Sequence, residues 1–99
     1  MLERDVEGYL VKRVAKLGGK AYKFSSPSNR SVPDRLCCLP NGRIKFVECK
    51  APGKLPSPLQ AKVIKYLRSL RNEVFVVDTK EKVDILIENW REELNAVIR

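Results

Sequence analysis

Three side chains of this 99-residue chain stand at spacings that suit hydrolytic chemistry: Asp34, directly after Pro33, and the pair Glu48 and Lys50 near the end of an apolar run. Side chains two apart on a strand share a face. The segment between them reads as a β-hairpin. Arg35-Leu36-Cys37-Cys38-Leu39 favours β structure, Pro40-Asn41-Gly42 is turn chemistry, and Arg43-Ile44-Lys45-Phe46-Val47 alternates polar with apolar. A three-residue loop over Pro40, Asn41 and Gly42 makes Leu39 face Arg43 and sets Asp34 opposite Glu48, Leu36 opposite Phe46 and Cys38 opposite Ile44. A two-residue Asn41-Gly42 turn shifts this by one. In the first register Leu36, Cys38, Ile44 and Phe46 form one apolar face that ends in Asp34, Glu48 and Lys50. That register also makes Cys38 a core residue and points Cys37 the other way.

Two carboxylates so placed resist joint ionisation unless a cation or Lys50 lies between them. Their oxygens suit a hard divalent ion, Mg²⁺ or Mn²⁺, which binds a phosphate oxygen and lowers the pKa of an attacking water. Lys50 would orient that water or neutralise charge developing on the phosphate. The plainer alternative is a strand that starts after a proline and a solvated Glu48/Lys50 edge pair. The apolar strand carrying the charges, and a Pro-Asp step just before a strand, favour the metal reading.

Composition narrows the chemistry further. The chain has no histidine, which removes Ser-His triads, histidine bases and His-Cys zinc sites together. Cys37 and Cys38 are adjacent, so the three cysteines make neither a disulfide framework nor a zinc spacing. Of the net charge of +8, residues 1–80 carry 17 Lys and Arg against 7 Asp and Glu, whereas residues 81–99 carry 3 against 5. A basic body with an acidic tail points to a polyanionic partner, since Lys and Arg on phosphates supply most non-specific nucleic-acid affinity. The chain has no run of 18 apolar residues and no signal-peptide core, so a soluble, cytoplasmic protein with no membrane partner is expected.

The elements that must position these groups follow from periodicity. Leu2, Val6, Leu10, Val14 and Leu17 predict an amphipathic helix over residues 2–17, stopped by Gly18-Gly19; Glu3 and Glu7 share one side of it. Lys20-Ala21-Tyr22-Lys23-Phe24 predicts a first strand. The polar stretch 25–31, with Ser28, Asn29 and Arg30, either contacts phosphate or simply connects. Ala51-Pro52-Gly53-Lys54-Leu55-Pro56 is irregular, and Lys54 joins the candidate phosphate contacts. Ser57 then caps a helix with Pro58 at its first position and Leu59, Val63, Leu67 and Leu70 as its stripe. Lys62, Lys65, Arg68 and Arg71 form either a basic ridge beside the site or a solvated face. Residues 73–77 read as a buried strand in a central or parallel position. Asp78-x-x-Glu81 opens a last helix whose apolar side is Val83, Ile87, Trp90, Leu94 and Val97, widened by Ile85, Leu86 and Ile98. That width suits either packing on its own sheet or a subunit interface.

Ser31-Val32-Pro33-Asp34-Arg35-Leu36, Phe46-Val47-Glu48-Cys49-Lys50, Ala51-Pro52-Gly53 and Ser57-Pro58-Leu59-Gln60 together resemble the VRR-NUC branch of the PD-(D/E)xK nucleases over roughly residues 3 to 80. Ser31 departs from the glycine common there, which bears on the tightness of the turn. The resemblance implies a single α/β domain with a mixed sheet flanked by helices, in the order α-β-β-β-α-β-α. It implies that Asp34, Glu48 and the carbonyl of Cys49 hold the ion, and that Lys50 assists the water. It also assigns Glu7 of the first helix and Gln60 to the site. Each has a plainer reading: an acid near a helix N-terminus is favourable anyway, and Ser57-x-x-Gln60 is a capping box. Stand-alone members resemble dimeric, structure-selective phage nucleases, so a metal-dependent endodeoxyribonuclease acting as a homodimer on four-way DNA junctions is expected, in a bacterial or phage-infected cell. A nuclease of linear ends or flaps, and a non-catalytic basic DNA-binding module, are the alternatives.

Overall fold

The computed structural model describes residues 1–98, with side chains through residue 96. The elements are α1 (Glu3–Lys16), β1 (Lys20–Lys23), β2 (Arg35–Cys38), β3 (Ile44–Cys49), α2 (Pro58–Ser69), β4 (Val74–Val77) and α3 (Lys80–Ile98), in the order read from sequence. The sheet runs β1-β2-β3-β4, antiparallel at its first two pairings and parallel at the last. β4 is therefore parallel, as its apolar run suggested, but at an edge rather than the centre.

α1 and α3 pack on each other and on one face of the sheet. Val6, Leu10 and Val14 of α1 are fully buried, whereas Leu2, at the N-cap, is exposed. A Cβ on Gly19 would lie 2.4 Å from the Cys38 carbonyl oxygen, so the turn from α1 into β1 presses against β2 in a way only glycine permits. The hairpin takes the three-residue loop: Leu39 N–H donates to the Arg43 carbonyl at 2.9 Å, and Leu36 faces Phe46.

Which face is core differs from the expectation. The face under α1 and α3 carries Ala21, Cys37, Lys45, Val47 and Cys49, all buried, while Cys38 is only half-buried and Ile44 is 50% exposed. The assignment of Cys38 to the core and Cys37 to the outside is thus reversed. The cause is Lys45. Alternation marks its face as polar, yet the side chain is fully buried because its Nζ pairs with the carboxylates of Glu73 and Glu93, the latter at 2.9 Å. Burial of Glu93 works against its charge, but hydrogen bonds and charge from Lys45, and then Arg43, hold its carboxyl below the usual range.

α2 lies across the other face, and its coverage is partial. Ile64 is its buried residue, Val63 and Leu67 are half-buried, and Leu59 and Leu70 are at least half exposed, so the Leu59-Val63-Leu67-Leu70 stripe is not a core stripe. The basic ridge is also shortened. Arg68 donates to the Val74 carbonyl through Nε (3.1 Å) and Nη2 (2.6 Å), and Arg71 lies beyond the helix in a left-handed conformation. Thr79, not Asp78, caps α3, through a 3.1 Å bond from Lys82 N–H; Asp78 instead accepts from Gly53 N–H at 2.8 Å. Val83, Leu86, Ile87 and Trp90 are buried in the chain's own core, with Trp90 edge-on to Phe75 at 5.7 Å. Trp90 is therefore no subunit contact. The side chains of Val97 and Ile98 lie outside the described residues. Among those described, no helix is long and apolar enough to cross a membrane.

Candidate active site

The approach to Asp34 is a tight turn followed by an anchor. Ser31 adopts φ +67°, the left-handed conformation that glycine takes without strain, and Pro33 is fully buried. The carbonyl of Asp34 accepts from Phe24 N–H at 2.8 Å, which continues the β1–β2 pairing past the strand ends. Its side chain crosses to the next strand, where Oδ2 accepts from Cys49 N–H at 2.8 Å. In a strand the N–H and C=O of one residue address the same neighbour. The Cys49 carbonyl therefore projects toward Asp34, while Lys50 N–H turns to the Val77 carbonyl at 2.9 Å.

Glu48 sits between these groups and is 1% exposed. Its Oε2 lies 3.3 Å from Lys50 Nζ. Burial pushes the Glu48 carboxyl up, the Asp34 charge pushes it further, and Lys50 with the Asp34 N–H offsets only part, leaving it at about 7. Among the described residues no three His, Cys, Asp or Glu side chains converge on one point. The donor set is two carboxylates and a main-chain carbonyl, all oxygen, which fits an ion such as Mg²⁺ that keeps several of its waters.

Glu7 reaches the same end of the sheet from below. Its Oε2 accepts from Arg35 Nε at 2.7 Å and lies 3.7 Å from Lys23 Nζ; Arg35 also donates to the Ala21 carbonyl at 3.2 Å. Arg35 shares the helix-covered face, whereas alternation puts Asp34, Glu48 and Lys50 on the other. Glu7 thus bonds to neither Asp34, Glu48 nor Lys50, and its charge is felt instead at the Cys49 thiol, which burial raises well above the usual range. Gln60 forms the capping box, with Oε1 accepting from Ser57 N–H at 2.8 Å and its own N–H donating to Ser57 Oγ at 3.2 Å. Ser28, Asn29, Arg30, Lys54 and Lys62 are all exposed. Asn29 and Lys62 line one groove between the 25–32 loop and α2, and Lys54 follows the Gly53 turn. Reading the sequence missed Arg35 and Lys45. Their acidic partners lie 28 positions away or more, beyond any periodicity, and only the acids in α1, α3 and before β4 hinted at them.

No family model matches the chain. It is 51% identical over 84 residues to a protein named "Putative nuclease p44" from Acyrthosiphon pisum secondary endosymbiont phage 1, an alignment spanning 85% of this chain and 90% of that one. A solved structure described as a VRR_NUC domain superposes with a TM-score of 0.82 at 38% identity, covering 87% of this chain and 94% of that one. The 51% identity to the phage protein over most of both chains, the shared fold and the carboxylate pair on its hairpin agree: the chain belongs to the VRR-NUC family of nucleases.

Proposed function

We propose that the protein is a divalent-metal-dependent endodeoxyribonuclease. The observation that carries this reading is the convergence of Asp34, Glu48 and Lys50 at the end of the β2–β3 hairpin, with a buried Glu48 carboxyl raised to about 7. Asp34, Glu48 and the Cys49 carbonyl would hold Mg²⁺ or Mn²⁺. Such an ion supplies Lewis acidity at the phosphate and a lowered pKa for the attacking water. The protein's own groups do the rest. The Cys49 N–H fixes the Asp34 carboxylate, and Lys50 neutralises charge on the phosphate or orients the water. Glu7 acts as a positioning residue by holding Arg35, the neighbour of Asp34, and Gln60 fixes the start of α2. Ser28, Asn29, Arg30, Lys54 and Lys62 supply the backbone contacts.

The finer reading is a homodimer cutting opposed strands of a four-way junction. One chain carries one Asp34/Glu48/Lys50 set, and a two-fold dimer supplies two sites matched to the approximate two-fold symmetry of the junction. With Trp90 buried, Tyr22 and Ile44, both about half exposed on the open sheet face, become the candidate contact. Asp34→Asn should abolish Mg²⁺-dependent cleavage, a loss of a hundredfold or greater, while DNA binding survives. A panel of linear, flap and four-way substrates, with sedimentation of the free protein, tests the finer reading. Wild-type turnover in Asp34→Asn would overturn the assignment of the site, and a wild type that cuts no DNA in Mg²⁺ would overturn the enzyme assignment. A monomer cutting all three substrates equally would overturn the junction reading alone.

A further inference from the structure

From the groove beside the site we infer that the protein binds an unpaired nucleobase flanking the scissile phosphate, with Tyr66 as its stacking partner; this rests on the nuclease reading above. The groove measures about 490 Å³, within the roughly 300–1,000 Å³ typical of small-ligand clefts. Its lining is half-buried at Phe24, Val32, Val63 and Leu67 and exposed at Leu59 and Tyr66, both on α2. Phe24 is held in place by Phe46, ring centroids 5.6 Å apart. Tyr66 is 63% exposed, and among the described residues its ring makes no aromatic or cation–π pair.

Position argues for a base rather than a small metabolite. Phe24 N–H bonds the Asp34 carbonyl at 2.8 Å, Val32 lies two residues before Asp34, and Phe46 lies two before Glu48. The groove thus opens where the candidate site ends. Polar and basic groups complete the complement: Ser26 and Asn29 offer a hydroxyl and an amide to base edges, and Lys62 offers charge to the adjoining phosphate. An apolar slot with an aromatic wall and a cationic rim is the arrangement that takes bases from single strands, because every base has a π-face. A paired base must first leave its stack, at a cost of a few kcal/mol that an unpaired one does not incur. The groove would therefore favour DNA with an unpaired nucleotide next to the cut.

The test uses full-length protein and three duplexes: fully paired, with one unpaired adenine, and with an abasic residue in place of that adenine. Affinities are measured in EDTA and cleavage in Mg²⁺. Wild type should bind the unpaired-adenine duplex roughly 5- to 150-fold more tightly than its abasic counterpart, the range for one stacked base. Tyr66→Ala should bring that ratio close to one, and Tyr66→Phe should keep it. Leu59→Ala, two turns before Tyr66 on α2, should reduce it by a smaller factor, and thermal melts check that each variant folds. Equal wild-type affinity for the adenine and abasic duplexes would overturn the inference. So would an equal loss on all three duplexes in Tyr66→Ala, or a variant that changes only sedimentation, which would make the groove a contact between copies. A wild type that discriminates adenine from abasic yet cuts nothing in Mg²⁺ would sink the nuclease reading and leave the groove standing.

Discussion

Glu48→Gln separates the catalytic from the structural consequences of the buried carboxyl. In the folded protein the Glu48 pKa is about 7, against an ordinary value of 4.5. The folded state therefore holds more protons than the unfolded state between those values, so stability falls as pH rises through that window, and the whole cost is present above pH 7. A rise from 4.5 to about 7, at about 1.36 kcal/mol per tenfold change in the proton-binding constant, amounts to roughly 3 kcal/mol. Glutamine removes the ionisation. The attraction of Lys50, 3.3 Å away, is already contained in that figure; an amide, with one acceptor oxygen where the carboxyl has two, fits the Lys50 and Asp34 N–H donors less well, which returns about 1 kcal/mol. The metal-free variant should thus be about 2 kcal/mol more stable than wild type at pH 8, a rise of about 10 °C in Tm for a domain of this size. At pH 5 the wild-type carboxyl is already protonated, and the two proteins should melt within a few degrees of each other. Mg²⁺ should raise the wild-type Tm at pH 8 and leave the variant unchanged, because only a ligand of the folded state stabilises it. Cleavage should be absent in the variant at both pH values. Thermal unfolding followed by circular dichroism in EDTA and in Mg²⁺ reads all of this. An equal Tm difference at pH 5 and pH 8, or a variant less stable at pH 8 without metal, would refute the account of Glu48.

Trp90→Arg should unfold the protein rather than dissociate it, at a cost of about 4 kcal/mol or more, because the side chain is 2% exposed against Phe75; a folded monomer by circular dichroism and sedimentation would contradict this. In the native protein a thiol reagent should label one cysteine rapidly, Cys38, since burial raises the Cys37 thiol to about 12 and raises that of Cys49 further, and mass spectrometry of the labelled peptides identifies it. Ser31→Gly should keep activity and stabilise by up to about 1 kcal/mol by relieving the left-handed φ of +67°, measured by denaturant unfolding; a loss of 1 kcal/mol would show that the serine side chain matters more than its backbone.

The sequence by itself determined the order of elements, narrowed the hairpin to two registers, and marked Asp34, Glu48 and Lys50 as the candidate set. Each is a local property: helical and strand periods, a Pro40-Asn41-Gly42 turn that allows only a two- or three-residue loop, and side chains two apart that must share a face; the structure chose the three-residue loop. The Ser57/Gln60 cap was legible for the same reason, since all its partners lie within four positions. What lies above and below the sheet was not local. Alternation distinguishes two faces but does not say which one the helices cover, and the apolar residues of the hairpin marked the wrong one. The covered face holds Lys45, a residue that belongs in water until Glu73 and Glu93 arrive from β4's approach and from α3 to neutralise it. The same limit hid the anchoring of Glu7 by Arg35 and the closing of Trp90 into the core. Tertiary structure alone decided these, because a charge is tolerable in an interior, and an aromatic ring is spent on one, only when partners distant in the chain are brought against it.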